Sequence, residues 1–356
     1  MTILLAGGGT LGPVTPLIAI VEAWKNADPS ARFVWVGTRN GPEAELVRAE
    51  GIKFLYLPVA RLTRYPSLEW LTLPWRIVSA FVMAWLILGR EKPSLVAVAG
   101  GYTGVPLAYA AFLRGIPVWT HQPDVKPLLS NRLITPVATL VTLAWSVTAA
   151  SFPKAKTEVV GNPVRAMMRA GAKDRAANRF NLDLRLPTLL VFGGGGGAKW
   201  LNQMCMDMAP KLVGVANVIH ITGVGKMKPA YQRFGPHYHA VELLTDGMND
   251  AIAAADVVLA RAGMGTISEL SALRKAAVLV PIPGSTQEAN ARVIGESGAA
   301  TVFSQPLATL GDLEKAILGL LGDELKRREL GNRLASALPT DVAEKIVHRL
   351  QRIVKK

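Results

Sequence analysis

The sequence predicts an α/β protein built from two doubly wound, parallel-sheet domains. A chain of 356 residues is too long for one ordinary core and suits two domains. Half of its residues are apolar and only 19% are charged, which is typical of a folded protein with many buried strands. Each half opens with an apolar strand, a glycine-rich turn and a helix. This repetition predicts two similar sheets that face each other across a cleft.

The first strand–turn–helix unit begins the chain. Residues 3–5 form a short apolar strand, residues 6–16 are rich in glycine, and apolar residues from Leu17 to Trp24 recur at helical spacing. The turn matches the dinucleotide-binding pattern G-x-G-x-x-G. A dehydrogenase is nevertheless disfavoured, because the next strand, residues 33–36, ends without the carboxylate that would bind a ribose.

The other predicted strands of the first half end at polar or glycine-containing turns. These elements are a helix at 42–51 and strands at 54–57, 95–99 and 117–120. The last strand leads into the polar cluster His121-Gln-Pro-Asp124. Because the carboxyl ends of parallel strands meet at one edge of a sheet, we expect these turns to lie along a single rim, where ligands bind.

Tryptophan and arginine side chains accompany the most apolar stretch, residues 66–89. Its uninterrupted apolar run, 77–89, is shorter than the roughly 20 residues needed to span a bilayer, so we expect a surface-seeking or buried helix. Such side chains suit a lipid headgroup interface, and core packing is the alternative. The candidate membrane patch is Trp70, Trp75, Arg76 and Trp85.

Composition and charge limit the partners. The net charge of +14 is uneven, with 17 Lys or Arg against 6 Asp or Glu between residues 51 and 185. An anionic membrane surface suits this surplus better than a nucleic acid, because no RNA-binding or helix-turn-helix signature accompanies it. The single cysteine, Cys205, leaves no disulfide, which indicates a reducing cytosol, and the N-terminus lacks the basic region of a signal peptide.

The second half repeats the opening of the first. Strand 188–192 runs into five glycines, 193–197, and then into a helix. We expect domains at 1–162 and 163–339, with a C-terminal helix near 340–356 that packs on the first domain. The other predicted elements are strands at 218–222, 241–244, 257–259 and 277–281, and helices at 247–254, 313–321 and 342–354.

Residues 256–270 form a strand, a glycine turn and a helix start. A helix N-terminus has unpaired N–H groups and a partial positive charge, so it can bind a phosphate or diphosphate. Glu269, one turn further on, could accept hydrogen bonds from a ribose. The alternative is an ordinary helix start, with Thr266 as cap and Glu269 completing a capping box. Gln287 and Asn290 begin another helix, either presenting amides to the cleft or serving as surface caps.

The order and spacing of these motifs resemble the MurG family of glycosyltransferase family 28, lipid-linked N-acetylglucosaminyltransferases of peptidoglycan synthesis. The similarity runs through nearly the whole chain. It rests on Gly8-Gly-Thr10 with Pro16, Gly37-Thr38, Glu43 to Val47, Gly100-Gly-Tyr102 with Pro106, His121, Asn131, Gly161 to Arg165, Gly193-Gly194 with Gly197-Ala198 and Asn202, Arg261 with Gly263, Thr266, Ser268-Glu269, and Gln287 with Asn290-Ala291. The resemblance implies the GT-B architecture, two facing Rossmann-like domains with an inter-domain cleft.

The resemblance also implies a reaction and a location. The reaction would be an inverting transfer of GlcNAc from UDP-GlcNAc to the muramyl 4-hydroxyl of undecaprenyl-pyrophosphoryl-muramoyl-pentapeptide. The protein would be peripheral on the cytoplasmic face of the bacterial cell membrane, binding these two substrates and anionic lipid but no nucleic acid. Because the sequence contains no Asp-x-Asp pair, neither a metal nor another cofactor is expected.

Site residues follow from the same resemblance. Glu269 would hold the ribose, and the expected donor set is Thr10, Arg165, Gly195, Thr245, Arg261, Gly263, Met264, Thr266, Glu269, Gln287 and Asn290. Acceptor contacts are expected from Gly12, Tyr102, Asn131 and Asn202, on a rim that also carries Thr10. The catalytic base is expected to be His121, whose ordinary pKa of about 6.5 suits the task, or Asp124. A buried structural role for His121 is the alternative.

Three substitutions depart from the family pattern. The histidine that usually follows the first glycine turn is Pro13 here, His-Glu-Gln-Asn is replaced by His121-Gln-Pro-Asp124, and Gly195-Gly196 stand in place of Ser-Gln. These changes leave the base open between two residues. They also keep open a related transferase with another lipid acceptor, such as diacylglycerol, or a membrane protein that binds a UDP-sugar without turnover.

Overall fold

The computed structural model describes residues 1–8, 12–39, 41, 43–59, 73–194, 196–244 and 246–355. Within these residues the chain forms two compact units, each built around a parallel sheet. The first unit comprises Met1–Arg165 and Asp341–Lys356, and the second comprises Ala166–Thr340. The predicted fold class, α/β with two doubly wound parallel-sheet domains, is confirmed.

Parallel strands and flanking helices make up the first unit. Its strands are β1 (Thr2–Ala6), β2 (Arg32–Gly37), β3 (Lys53–Tyr56), β4 (Leu95–Val98), β5 (Val118–Gln122), β6 (Leu140–Leu143) and β7 (Thr157–Val159). Its helices are α1 (Thr15–Ala27), α2 (Glu43–Ala49), α3 (Leu73–Glu91), α4 (Gly104–Leu113), α5 (Leu129–Ile134) and α14 (Ala343–Val354), with short 3-10 helices at Thr135–Val137, Ser146–Ser151 and Lys154–Lys156. The described strands pair in parallel in the order β3-β2-β1-β4-β5-β6-β7.

Helices cover both faces of the first sheet, which is why its central strands are apolar on both sides. One face packs against α1 and α14, where Trp24, Ile346 and Leu350 are buried. The other face packs against α3 and α4, where Leu88 and Leu107 are buried. The last helix of the chain thus completes the core of the first unit.

The second unit has the same plan. Its strands are β8 (Thr188–Phe192), β9 (Asn217–Ile221), β10 (Tyr238–Val241), β11 (Val257–Ala260), β12 (Ala276–Leu279) and β13 (Thr301–Val302). Its helices are α6 (Ala166–Arg169), α7 (Lys173–Phe180), α8 (Lys199–Leu212), α9 (Met248–Ala254), α10 (Met264–Ala272), α11 (Gln287–Glu296), α12 (Leu310–Leu321) and α13 (Glu324–Ala337), with a 3-10 helix at Pro229–Phe234. The described strands pair in parallel in the order β10-β9-β8-β11-β12-β13.

Several elements differ from the sequence prediction. Strands β6, β7 and β13 and helix α13 have no counterpart among the predicted elements. Strand β10 ends at Val241, where the predicted strand 241–244 begins, because Tyr238 and the residues after it pair with β9. Strand β5 continues to Gln122, so His121 lies inside the sheet and not in the loop that follows it.

Candidate functional site

The sheet order of the second unit reverses between β8 and β11, which is the point where open α/β sheets bind ligands. Helix α10 begins at Met264 directly after Gly263, and this N-cap residue makes no side-chain capping hydrogen bond. Its first turn contains no acidic residue, so the terminus can receive an anion. Thr266 is the third residue of this helix, so the alternative in which it is the cap is wrong. Glu269 follows on the second turn and is half-buried.

Arg261 secures the loop that follows β12. Its Nη1 donates to the carbonyl oxygens of Val280 at 3.0 Å and Pro281 at 3.2 Å, and its Nη2 donates to Oε1 of Gln305 at 2.8 Å. Burial lowers the pKa of the Arg261 guanidinium, which nevertheless stays protonated because its ordinary pKa is so high. Arg261 therefore positions its neighbours, and Gln305, which the sequence did not indicate, is its partner.

The first turn of α11 lies beside the turn that precedes α10. Asn290 is fully buried, and its Nδ2 donates to the carbonyl oxygen of Ala262 at 3.3 Å. The Oε1 of Gln287 accepts from the backbone N–H of Ile282 at 3.2 Å. A Cβ atom on Gly263 would lie 3.7 Å from Nε2 of Gln287. Two helix N-termini and their amide side chains are thus adjacent.

Most of the predicted donor residues lie at this corner of the second unit: Arg261, Gly263, Met264, Thr266, Glu269, Gln287 and Asn290. Three others, Thr10, Gly195 and Thr245, lie outside the described residues. Arg165 is the last residue of the first unit and is half-buried.

Asn202 has a place in the interior of the second unit. It is 4% exposed, its Nδ2 donates to the carbonyl oxygen of Thr222 at 2.8 Å, and its Oδ1 is 3.1 Å from Nε2 of His220. Because both ends of its amide are used inside the unit, this placement does not support the prediction that Asn202 contacts the acceptor.

In the first unit the sheet order reverses between β1 and β4, and the turns after these strands carry Gly12 and Tyr102. Both residues are half-buried. The two turns touch at Gly101, which has φ +86°, and a Cβ atom there would lie 3.1 Å from the backbone of Gly8. A glycine is required at this position. The predicted single rim is confirmed for these neighbouring strands.

His121 is fully buried and both of its ring nitrogens have partners. Its Nε2 is 2.8 Å from Oδ1 of Asn162, and its Nδ1 is 2.9 Å from Oγ1 of Thr142. Because an amide oxygen can only accept, Nε2 carries the proton and Nδ1 accepts from the threonine hydroxyl. Burial lowers the pKa of His121 to about 4, which keeps the ring neutral. This arrangement favours the structural role over the role of catalytic base.

Asn131 and Gln122 organise the loop that carries Asp124. Asn131 is fully buried, and its Nδ2 donates to the carbonyl oxygen of His121 and to Oε1 of Gln122, both at 2.8 Å. Gln122 in turn donates from Nε2 to the carbonyl oxygen of Asp124 at 2.7 Å and accepts from the N–H of Leu128 at 3.1 Å. Asn131 therefore acts through Gln122 on the loop, which favours a positioning role over the predicted acceptor contact.

Helix α3 exposes a large apolar surface. Trp75 is 78% exposed and Leu86 is 60% exposed. Helices α4 and α5 continue this surface, because α4 packs on α3 and α5 packs on α4. We call it the α3–α5 face; its exposed apolar residues are Trp75, Ile77, Val78, Val82, Met83, Trp85, Leu86, Phe112, Leu113, Leu129 and Leu133.

Arginines accompany the α3–α5 face. Arg76 is exposed on α3, and the guanidinium of Arg114 lies 4.0 Å from the ring centroid of Trp85. Trp70 lies outside the described residues. Among the helices that the structure describes, none is both long and apolar enough to cross a membrane. The described residues also contain no group of three or more His, Cys, Asp or Glu side chains able to hold a metal ion.

Two family models match this chain. The glycosyltransferase family 28 N-terminal domain covers residues 3–143, and the glycosyltransferase family 28 C-terminal domain covers residues 188–346. The chain belongs to glycosyltransferase family 28. It is therefore an enzyme of the glycosyltransferase class, and the resemblance found in the sequence motifs is confirmed.

Relatives of the family 28 chain align over nearly their whole length. Those from Nocardioides sp. and Streptomyces coelicolor are each 34% identical, over 99% and 94% of this chain and 97% and 93% of their own. One from Clostridium kluyveri is 29% identical over 98% of this chain and 99% of its own. All three are named UDP-N-acetylglucosamine--N-acetylmuramyl-(pentapeptide) pyrophosphoryl-undecaprenol N-acetylglucosamine transferase.

Solved structures share the fold of this family 28 chain. MurG of Acinetobacter baumannii superimposes with a TM-score of 0.77 at 24% identity, covering 99% of each chain. The UDP-GlcNAc 2-epimerase of Neisseria meningitidis superimposes with a TM-score of 0.71 at 16% identity, covering 99% of this chain and 100% of that one. At these identities the likeness shows the GT-B type fold alone.

Proposed function

We propose that this chain transfers N-acetylglucosamine from UDP-N-acetylglucosamine to the muramyl sugar of an undecaprenyl-pyrophosphoryl-muramoyl-pentapeptide. The observation that carries the proposal is the full-length match to relatives named for this reaction. The N-terminus of α10, which has a glycine as its N-cap and lies where the second sheet reverses its order, is a site of the kind that a nucleoside diphosphate needs.

The donor would bind at the turn between β11 and α10. Backbone N–H groups at Met264 and the residues after it, together with the helix dipole, would stabilise the charge that develops on the leaving diphosphate. Glu269 would accept hydrogen bonds from the ribose hydroxyls. Gln287, held at Oε1 by Ile282, would turn its Nε2 towards the sugar. Because these groups stabilise the diphosphate without a metal, EDTA should leave the transfer rate unchanged.

Asp124 is the better candidate for the base that takes the proton from the acceptor hydroxyl. It is half-buried on a loop at the rim of the first sheet, whereas His121 is enclosed with both nitrogens engaged. Direct displacement with such a base inverts the anomeric centre.

The first variant to test is therefore Asp124→Asn. It should lower kcat by about 100- to 10,000-fold, the usual contribution of a general base, while the Kd for UDP stays constant. His121→Gln, which keeps a neutral hydrogen-bonding side chain, should retain most of kcat. The reverse pattern, with a normal kcat in Asp124→Asn, would return the role of base to His121.

The α3–α5 face would rest on the anionic surface of the membrane that holds the lipid-linked acceptor, at its cytoplasmic side. Apolar side chains would enter the headgroup region, and arginines would meet lipid phosphates. Arg114 over Trp85 places a cation against an indole ring, a pairing that suits the boundary between water and lipid.

A transfer assay tests the proposed function. Labelled UDP-GlcNAc is supplied with a short-chain lipid-linked muramyl pentapeptide, and diacylglycerol is offered as a competing acceptor. We expect label only in the muramyl product. Label in diacylglycerol would identify a transferase with another acceptor, an outcome that the Pro13 and Gln122-Pro-Asp124 substitutions make worth testing. Donor binding without any product would identify a binding protein.

A further inference from the structure

A chain of buried hydrogen bonds crosses the interior of the second unit. It begins at Cys205 on α8, whose Sγ lies 3.4 Å from the hydroxyl oxygen of Tyr238. The same hydroxyl lies 2.7 Å from Nδ1 of His220 on β9, and Nε2 of His220 lies 3.1 Å from Oδ1 of Asn202. Nδ2 of Asn202 then donates to the carbonyl oxygen of Thr222 at 2.8 Å. We call this sequence of bonds the Cys205–Thr222 relay.

The polarity of every bond in the relay follows from its last member. The carbonyl oxygen of Thr222 can only accept, so Asn202 presents its NH2 group there and its oxygen to His220. Nε2 of His220 must then carry the proton, and Nδ1 accepts from the hydroxyl of Tyr238. Tyr238 in turn accepts from the S–H group of Cys205. Burial lowers the pKa of His220 to about 4 and raises the pKa of Cys205 to about 12, so both groups are neutral.

The relay ends where two glycine turns touch. A Cβ atom on Gly223, which has φ +93°, would lie 2.6 Å from Cα of Gly197. A Cβ atom on Gly197, which has φ +64°, would overlap the carbonyl oxygen of Thr222. The turn after β8 thus lies directly against the residue that Asn202 holds. Lys226 also links the two turns, because its Nζ donates to the carbonyl oxygens of Gly196 and Gly197.

This glycine turn lies at the edge of the sheet where the strand order reverses. It follows β8, and β8 pairs with β11, the strand that leads into α10. The turn and the α10 N-terminus therefore flank the point where the sheet order reverses. Any shift of Thr222 moves Gly197, because the two backbones leave no room between them.

We propose that His220 and Asn202 are positioning residues for the sugar-nucleotide donor, because the Cys205–Thr222 relay fixes Gly196 and Gly197, in the turn after β8, beside the α10 N-terminus. The inference rests on the proposed function, since it needs a donor at that corner. Tyr238 completes the relay, because its hydroxyl donates to Nδ1, the ring nitrogen that has no proton. Without that hydroxyl Nδ1 is a buried acceptor that has lost its donor, and the ring that binds the Asn202 oxygen is held by one hydrogen bond where it had two.

The chain supplies a matched pair of variants. Tyr231 and Tyr238 are stacked neighbours with ring centroids 6.2 Å apart. The hydroxyl of Tyr238 belongs to the relay, whereas the buried hydroxyl of Tyr231 has no hydrogen-bond partner among the described residues. The substitutions Tyr238→Phe and Tyr231→Phe therefore remove the same atom from similar surroundings, and only the first removes a member of the relay.

The experiment measures donor binding and kinetics of the full-length protein. Tyr238→Phe should raise the Kd for UDP and the KM for UDP-GlcNAc about fivefold to tenfold, the effect of about one lost hydrogen bond, and leave the KM for the acceptor unchanged. Tyr231→Phe should change none of these values. A general loss of folded protein would lower the apparent kcat without raising the KM for the donor. Nitrogen-15 NMR of the wild-type protein should show His220 protonated at Nε2.

Two results would overturn the inference: equal UDP affinity in the two tyrosine variants, or a wild-type His220 protonated at Nδ1. Failure of the proposed function is distinguishable from these results. A wild-type protein that binds UDP and responds to Tyr238→Phe, but transfers sugar to an acceptor other than the muramyl lipid, refutes the proposed reaction and leaves the positioning role intact. A wild-type protein that ignores uridine nucleotides refutes both.

Discussion

Glu269 is the residue that tests the donor site most directly, because it lies on the second turn of α10, close to the turn that would hold the diphosphate. Replacing it with alanine removes a carboxylate that would accept hydrogen bonds from the ribose. We expect Glu269→Ala to weaken UDP-GlcNAc binding about 10- to 100-fold, since hydrogen bonds to a charged group are worth more than neutral ones. Isothermal titration calorimetry measures this change.

The control for Glu269→Ala is Glu296→Ala, at the exposed end of α11. It removes the same charge from the same unit without touching the proposed site, so its donor affinity should equal that of the wild type. Equal affinity in both variants would mean that Glu269 does not hold the ribose.

His121 predicts a pH dependence of stability. Burial lowers its pKa from 6.5 to about 4 in the folded protein, so between these values the unfolded chain binds the additional proton. The stability that depends on the neutral ring is complete above pH 6.5 and is lost as the pH falls towards 4, by at most about 3 kcal/mol. Chemical unfolding of the first unit, followed across this range, should show the loss.

His121→Gln is the variant that identifies the group responsible. Glutamine does not titrate and can still bond Asn162 and Thr142, so the pH dependence of unfolding should become shallower. The buried His220 titrates in the same direction, so part of the dependence will remain in the second unit. An unchanged slope in His121→Gln would assign the effect to other groups.

Sequence reasoning placed the predicted donor residues on their elements better than it placed the predicted acceptor residues, and the reason is physical. Gln287 does begin α11, because glycine turns and helix starts are local signals. The burial of His121 depends instead on a long-range pairing with Thr142 in β6. A polar run after Trp119 resembles a loop unless the neighbouring strand is known, and β6, which itself contains a threonine, gives only a weak signal.

At the scale of elements, helix α3 exposes large apolar side chains, which indicates a binding surface. We expect the double variant Trp75→Ala, Trp85→Ala to bind vesicles containing anionic lipid about tenfold less tightly, because two large apolar rings no longer enter the interface. Vesicle sedimentation measures the change. Leu325→Ala is the control, since Leu325 is 79% exposed but lies on α13 of the second unit.

Unaltered vesicle binding in the double variant would show that the α3–α5 face serves another purpose. Retained transfer to a water-soluble acceptor analogue would show that the variant is folded. Together these measurements separate docking at a lipid surface from the chemistry of transfer.

Strand–turn–helix units were predictable from the sequence, whereas short or weakly patterned elements were not. Residues 188–192 form β8 with the predicted bounds, because a run of apolar residues before glycines is a strong signal. Strand β13 has only two residues, and β7 is partly polar and lies at the edge of its sheet. Helix α13 is rich in charged residues and buries few side chains, so its sequence lacks a clear apolar stripe.

At the scale of the whole molecule, the net charge of +14 predicts how membrane binding responds to salt. Attraction to an anionic surface is screened by ions, so binding to vesicles with anionic lipid should weaken as sodium chloride is raised. Binding to vesicles of neutral lipid should be weaker throughout and change little. A salt-insensitive affinity for anionic vesicles would mean that apolar contacts alone hold the protein there.

The return of the chain from the second unit to the first has a consequence for synthesis on the ribosome. Ile346 and Leu350 of α14 are part of the core of the first unit, so that core is incomplete until α14 has been synthesised. The ribosome must first make all of Ala166–Thr340, which takes roughly 10 to 40 seconds at ordinary elongation rates. During that interval only α1 covers this face of the first sheet and the part that α14 will cover stays exposed, so we expect the nascent chain to bind chaperones.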